Sequence, residues 1–263
     1  MISFDLTEEQ KLIVETLRSF AQEKMRPRAR SVDEGKLDPK GIYGEAWELG
    51  LISSILPEEC GGLGGERSAV TGALVAEELA WGDLALAAAI LSPTLAVIPL
   101  MDFGSPSQKK LLLQRYGAKD FTPGSLALVE PRFDFDPGKP LTAARRHPGG
   151  DYVLNGHKCF VPNLGSEPNI LVIASEPETV QGFFVDPGAN GLKTEGNERN
   201  MGLKGFPTAE ILLSDCAVPA SARLGEEAGM NYALLLDRAR VASAALAVGV
   251  ARAAFEYARD YAK

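Results

Sequence analysis

Pro57-Glu58-Glu59-Cys60-Gly61-Gly62-Leu63-Gly64 lies between two segments of helical pattern, and its reading decides how the rest of the chain is parsed. Three of its last four residues are glycine. Lacking a Cβ, they reach positive φ without a clash and let backbone approach a neighbour closely, so the octapeptide is a sharp turn. The glycines through Gly65 do not form a phosphate loop, because the lysine and Ser/Thr of such a loop are missing.

On the N-terminal side of this turn, Thr7-Glu8-Glu9-Gln10 offers a capping box, with Ile13, Leu17, Phe20 and Ala21 following at helical spacing. Further helices are expected over 42–51, 68–81 and 106–116, the last started by Ser105 ahead of Pro106. Leu84 to Met101 is 18 residues without a charge, at the lower limit for a bilayer span. Pro93 and Pro99 interrupt it and alanine fills much of it, so the pattern predicts a kinked pair of buried helices.

After Gly117 the texture changes to short β-rich runs at 126–129, 152–154, 159–161, 170–174, 182–185 and 211–213, separated by signals such as Pro148-Gly149-Gly150. Asn155-Gly156 reads as a hairpin turn, since both central residues of a type I′ turn need positive φ. From about Glu226 the helical pattern returns. Leu234, Leu235, Val241, Ala245, Val248 and Ala251 form its apolar band, with alanine over much of the remaining surface. Such a helix needs neighbours, supplied by another subunit or by further sequence. The fold class predicted is α+β and multidomain. An N-terminal all-α domain covers 1–120, a central antiparallel β barrel or sandwich 121–225, and the first long helix of a C-terminal helical bundle 226–263.

Composition bounds function. A chain of 263 residues with 45% apolar content can bury a sizeable core in two or three domains. A net charge of −8 disfavours nucleic acid, and the Arg26, Arg28, Arg30 stripe reads as a solvated helix end. Cys60, Cys159 and Cys216 lack the close pairing of a zinc or redox motif, which points to a reducing compartment. The opening M-I-S-F-D-L-T-E-E-Q has no basic stretch before an apolar run and is not a secretory signal, so a cytoplasmic location is expected. His147 and His157, the only histidines, read as surface residues with no metal set or Ser/His/Asp triad around them. Glu58-Glu59 and Glu77-Glu78 read as solvated faces, because adjacent residues point in different directions.

Four segments together resemble the acyl-CoA dehydrogenase family. Besides P-E-E-C-G-G-L-G, Tyr152 to Asn163 (Y-V-L-N-G-H-K-C-F-V-P-N) is similar to the family's I-N-G-x-K-x-W-I-T-N. Asn200 to Glu210 (N-M-G-L-K-G-F-P-T-A-E) is similar to M-G-x-R-x-x-x-T-x-E, and Asp237-Arg238-Ala239-Arg240 falls where the family has D-x-x-R. The resemblance implies α,β-dehydrogenation of an acyl-CoA thioester with FAD as hydride acceptor, a carboxylate base, assembly into homo- or hetero-oligomers through the C-terminal helix, and a separate electron-transfer partner. No nucleic acid, membrane span or metal is expected.

Carried over by position, the resemblance implies cofactor contacts at Val129, Glu130, Phe160, Val161 and Pro162, and acyl-CoA contacts at Leu95, Pro99, Phe135, Asp237 and Arg240. The acyl pocket is expected among the helices around Ala85 to Met101. Several positions depart from the family. V-E-P-R-F-D-F-D at Val129 to Asp136 replaces T-E-P-G-A-G-S-D, so Val129 lacks a hydroxyl, Phe135 replaces a serine, and Arg132, Phe133 and Asp134 replace small residues. Phe160 replaces a tryptophan and can still stack. Pro162 replaces a threonine and can donate from neither side chain nor backbone. No catalytic residue is assigned: the base falls beyond residue 263 in most of the family, and its alternative position inside D-x-x-R is Ala239. Two readings stay open, a working dehydrogenase and a non-catalytic subunit of a heteromeric dehydrogenase.

Overall fold

The structure, a computed structural model, describes residues 5–165 and 167–263; the first four residues of the acidic opening stretch lie outside them. Helix α1 (Glu8–Phe20) begins at the expected capping box, in which the Gln10 N–H donates to Thr7 Oγ1 at 3.2 Å and the Thr7 N–H to Gln10 Oε1 at 3.0 Å. It passes through a π-helical turn at Ala21–Met25 into α2 (Arg26–Asp33). Helix α3 (Lys40–Trp47) follows, and α4 (Ala69–Gly82) is capped by Ser68. Helices α5 (Leu84–Leu91) and α6 (Thr94–Phe103) are the kinked pair. Their joint stretch Leu84–Phe103 is long and apolar enough to cross a bilayer, but it breaks at Ser92-Pro93 and turns Leu86, Ile90, Val97 and Leu100 into the core. Helix α7 (Pro106–Leu112) starts at Ser105, again with a complete capping box.

The glycine octapeptide folds as one helical turn, Glu58–Cys60, ended by Gly61 at φ +85°. The glycines are needed for packing as well as for φ. A Cβ on Gly62 would lie 2.1 Å from the Leu56 carbonyl oxygen, and one on Gly117 would lie 1.8 Å from that of Cys60. The turn is thus pressed between the residues before it and the end of the helical region.

Among the described residues seven strands follow: β1 (Ser125–Ala127), β2 (Ala143–Arg146), β3 (Tyr152–Pro162), β4 (Ile170–Ser175), β5 (Val180–Val185), β6 (Leu192–Asn197) and β7 (Thr208–Val218), in one sheet ordered β1-β4-β2-β3-β7-β6, with β5 on β4. The expected purely antiparallel sheet is corrected: β1 and β2 run parallel to β4, and the other pairs are antiparallel. β4 is buried on both faces, which is why Ile170–Ala174 reads as a continuous apolar run. Val172 and Ala174 face the sheet's own core, while Leu171 and Ile173 pack with Ala96, Val97 and Leu100 of α6, so sheet and helices share buried surface.

Asn155-Gly156 is not a hairpin turn but sits inside β3. The Asp215 N–H donates to Asn155 Oδ1 at 2.9 Å and Asn155 Nδ2 donates to Asp215 Oδ1 at 3.1 Å, across a register shift where Asp215 takes the positive φ of +47°. Gly156 is required for a different reason: a Cβ there would lie 2.4 Å from Thr142 Oγ1. The β2–β3 turn falls at Pro148-Gly149-Gly150 instead.

Helix α8 (Tyr232–Tyr261) lies along α4 so closely that a Cβ on Gly249 would come 2.3 Å from the Glu77 carbonyl oxygen. Here the solvated reading of Glu77-Glu78 fails. Glu78 is buried and accepts from Arg18 Nη2 and from both Nη atoms of Arg252, each at 2.8 Å, while Glu77 takes a second Arg252 contact at 2.7 Å. Burial alone would raise the Glu78 carboxyl, yet these two arginines hold it below the usual carboxylate range.

Candidate functional site

Two of the segments singled out in the sequence, 129–136 and 152–163, meet where β1, the residues after it and the end of β3 run side by side. The Cys159 N–H donates to the Val129 carbonyl at 2.9 Å, and Ser125 Oγ donates to that of Pro162 at 2.9 Å. Val129, Phe160, Val161 and Pro162 therefore share one patch. Beneath it, Lys158 is wholly buried, its Nζ donating to the Leu128 carbonyl at 3.1 Å and to Glu130 Oε1 at 3.0 Å. Glu130 points inward. Its carboxylate also accepts from the N–H groups of Leu141 at 2.9 Å and Thr142 at 2.8 Å and from Thr142 Oγ1 at 2.8 Å. Burial would raise the Glu130 carboxyl, but these donors and the Lys158 ammonium hold it below its ordinary range. Its side chain is committed to internal partners.

Phe160 is the exception in an otherwise buried strand end. Its φ is +52°, unusual for a bulky residue, and the residue is 57% exposed. It occupies a bulge, since the β3–β7 register slips between Lys158 and Val161, and its N–H is held by the Glu198 carboxylate at 3.0 and 3.2 Å. A bulge of this kind re-aims a side chain and stores about 1–3 kcal/mol of strain. What it presents is a flat aromatic face beside half-buried Val129 and buried Pro162. Cys159 next to it is no nucleophile, because burial pushes its thiol up to about 11.

A second set of predicted residues converges on the first turns of α8. Tyr232 Oη donates to the Pro137 carbonyl at 2.5 Å, tying α8 to the loop that carries Phe135, and Arg238 Nε lies 3.0 Å from Asp102 Oδ2, tying it to α6. Leu95, Pro99 and Asp102 fall at i, i+4 and i+7, on one face of α6. Asp237 and Arg240 form an exposed i,i+3 pair at 2.9 Å. His157 is half-exposed against Glu210 at 2.6 Å, and among the described residues no group of acidic, histidine and cysteine side chains is arranged to hold a metal.

The acyl-CoA dehydrogenase N-terminal domain matches residues 7–120 and the acyl-CoA dehydrogenase middle domain residues 125–216. The chain belongs to the acyl-CoA dehydrogenase family. It is 35% identical to the probable acyl-CoA dehydrogenase YngJ of Bacillus subtilis, over 100% of this chain and 70% of that protein. Among solved structures it resembles butyryl-CoA dehydrogenase from Megasphaera elsdenii, with 29% identity and a TM-score of 0.84 over 99% of this chain and 70% of the other. It also resembles a glutaryl-CoA dehydrogenase from Mycobacterium smegmatis in complex with FADH2, with 29% identity and a TM-score of 0.82 over 95% and 64%. The chain thus spans 64% to 70% of the length of these acyl-CoA dehydrogenases.

The sequence reading assigns no role to Lys158, Asp102 or Tyr232, and takes Arg132 only as a replacement for a small residue in the flavin segment. Lys158 had a signal, its place in N-G-x-K. The others depend on loop and helix packing that no local pattern encodes.

Proposed function

We propose that this chain forms the flavin- and acyl-CoA-binding part of an acyl-CoA dehydrogenase, acting in the α,β-dehydrogenation of an acyl-CoA thioester. The observation that carries the reading is the strained Phe160 bulge, which turns an aromatic face outward beside Val129 and Pro162 at the family's flavin position. The residues present fit FAD by stacking on Phe160 and by charge, through the buried Arg132 Nε, which has no hydrogen-bond acceptor. Val129 and Pro162 add apolar contact but no donor. When bound, FAD supplies the acceptor for the β hydride.

The chain's own residues bind, orient and exclude water. Leu95 and Pro99 form an apolar wall for the acyl group, Phe135 closes over it, and Asp237 with Arg240 holds a polar part of the CoA. A dry site strengthens every hydrogen bond to the thioester carbonyl as enolate character develops. Ala239 offers no carboxylate, so the base that takes the α proton comes from elsewhere in the assembled enzyme. Exposed Val241, Val248 and Phe255 on α8 support further helices packing there. A non-catalytic subunit is the second reading, favoured by the lost donors at Val129 and Pro162.

A visible spectrum of the chain, taken with excess FAD and after desalting, tests the proposal. A retained flavin spectrum that bleaches with an acyl-CoA supports the dehydrogenase. A retained spectrum that does not bleach leaves the base to the rest of the assembled enzyme and keeps the flavin-binding reading, and a colourless protein overturns that reading and favours the second.

A further inference from the structure

Arg132 takes no part in the proton or hydride transfer, yet it is a cation set beside the expected flavin. It stands where the family has a small residue, one position after Pro131 in the loop between Glu130 and β2. Its Nη2 donates to the Lys139 carbonyl at 3.0 Å, which folds the guanidinium back over Glu130. Arg132 Nε lies 3.5 Å from Glu130 Oε2 and is buried without a hydrogen-bond acceptor.

The local charge count does not close. Glu130 is already neutralised by Lys158 at 3.0 Å, and the three side chains are 4%, 0% and, for Arg132, 22% exposed. One carboxylate between two cations leaves a surplus positive charge. Among the described residues, the further carboxylate paired with Arg132 is Asp134, 3.7 Å from Nη1 and 83% exposed, where water screens it. The guanidinium is partly desolvated, its Nε against Glu130 and its Nη1 faced by screened Asp134, so a further anion at Nη1 is favourable. The planar fork of a guanidinium matches phosphate oxygens better than any other side chain.

Resting on the flavin and acyl-CoA reading above, we infer that Arg132 is an anion-binding residue that takes a diphosphate, the group common to FAD and CoA. The loop around it faces both expected ligands: its leading end adjoins Val129 and the Phe160 patch, and its Pro137 end is tied to α8.

The test is a pair of titrations, FAD by flavin fluorescence and acyl-free CoA by calorimetry, on the wild-type chain and on Arg132→Gln and Arg132→Lys. Arg132→Gln should weaken one ligand by about tenfold or more and flatten its salt dependence, while Arg132→Lys keeps most of the affinity. Loss confined to FAD assigns the cofactor's diphosphate, and loss confined to CoA the substrate's. An Arg132→Gln chain with native circular dichroism that binds both ligands like the wild type overturns the inference but leaves the function reading intact. Wild type that binds neither ligand overturns both. If Arg132→Gln does not fold, competition on the wild type decides: inorganic pyrophosphate must displace one ligand, and failure to displace either refutes the role.

Discussion

Lys158 Nζ and Glu130 Oε1 stand 3.0 Å apart, neither side chain more than 4% exposed, directly beneath the backbone that joins Val129 to Cys159. The pair locks the two segments of the candidate cofactor patch together. Removing Lys158 leaves Glu130 with Arg132 Nε, 3.5 Å away, as its remaining cation, so Lys158→Met should cost about 1–3 kcal/mol in urea unfolding, less than a fully stranded charge. Adding Glu130→Gln to it should recover part of that loss, because a neutral amide needs no cation. Since the folded Glu130 carboxyl lies below its ordinary value, the stability it gives is full above the unfolded value and is lost as pH falls through the folded one. Equal stability of wild type and Lys158→Met would sink this account.

Glu78 makes a second pH-dependent lock, between α1, α4 and α8. Its folded carboxyl is held below the ordinary 4.5 by Arg252 and Arg18, so its contribution is present above pH 4.5 and disappears as pH drops below it. In thermal melts, Glu78→Gln should be less stable than the wild type at neutral pH, with the gap narrowing below about pH 4. A gap that stays constant over that range counts against the ion pairs as its cause.

Two glycine substitutions should move stability in opposite directions. Nothing lies within 4 Å of a Cβ built on Gly72 in α4, so Gly72→Ala should stabilise by about 0.5–1 kcal/mol through helix propensity. The same change at Gly249 drives a methyl to 2.3 Å from the Glu77 carbonyl oxygen and should cost about 1–3 kcal/mol. Denaturant midpoints of the two variants decide it; a stabilised Gly249→Ala chain would mean that α8 does not lie on α4 this closely.

Local chemistry was legible and long-range pairing was not. The Thr7 capping box, the Ser105 helix start, the glycine turn and the α5–α6 kink follow from residues within a few positions of each other. Asn155-Gly156 misled because the Asn155 side chain bonds Asp215, 60 residues away, and because Gly156 makes room for Thr142. β2 and β6 escaped notice since Ala143–Arg146 and Leu192–Asn197 carry charges and little apolar alternation. Glu78 looked solvated because its partners lie 60 and 174 residues off. In the site, the family segments located Val129, Phe160 and Pro162, while the inward turn of Glu130 and the unpartnered N–H of Arg132 arise only once the loop folds back on β3.

Phe160→Gly separates backbone strain from ligand contact. Glycine takes φ +52° without strain and Phe160 is mostly exposed, so thermal stability should hold or rise by about 1 kcal/mol. FAD affinity should fall by about tenfold, as one aromatic face is worth roughly 0.5–1.5 kcal/mol beyond its buried area. Melting and flavin titration on the same preparation read both. Lost stability with unchanged affinity would place the ring in the fold rather than the site.

Pro162→Thr restores what the patch lacks. Pro162 ends β3 opposite Thr208 and its carbonyl already accepts from Ser125 Oγ, so the backbone position is fixed by contacts that a threonine keeps. The change adds a hydroxyl and an N–H at the edge of the Phe160 face, and β-branching suits a strand end. If a flavin lies there, one new hydrogen bond of about 0.5–1.5 kcal/mol should tighten FAD binding by roughly threefold to tenfold. Val129→Thr should act in the same direction, and the two should combine more than additively if both reach the same ring edge. Unchanged FAD affinity in the double variant, with folding intact, would mean that the flavin edge does not run along Val129 and Pro162.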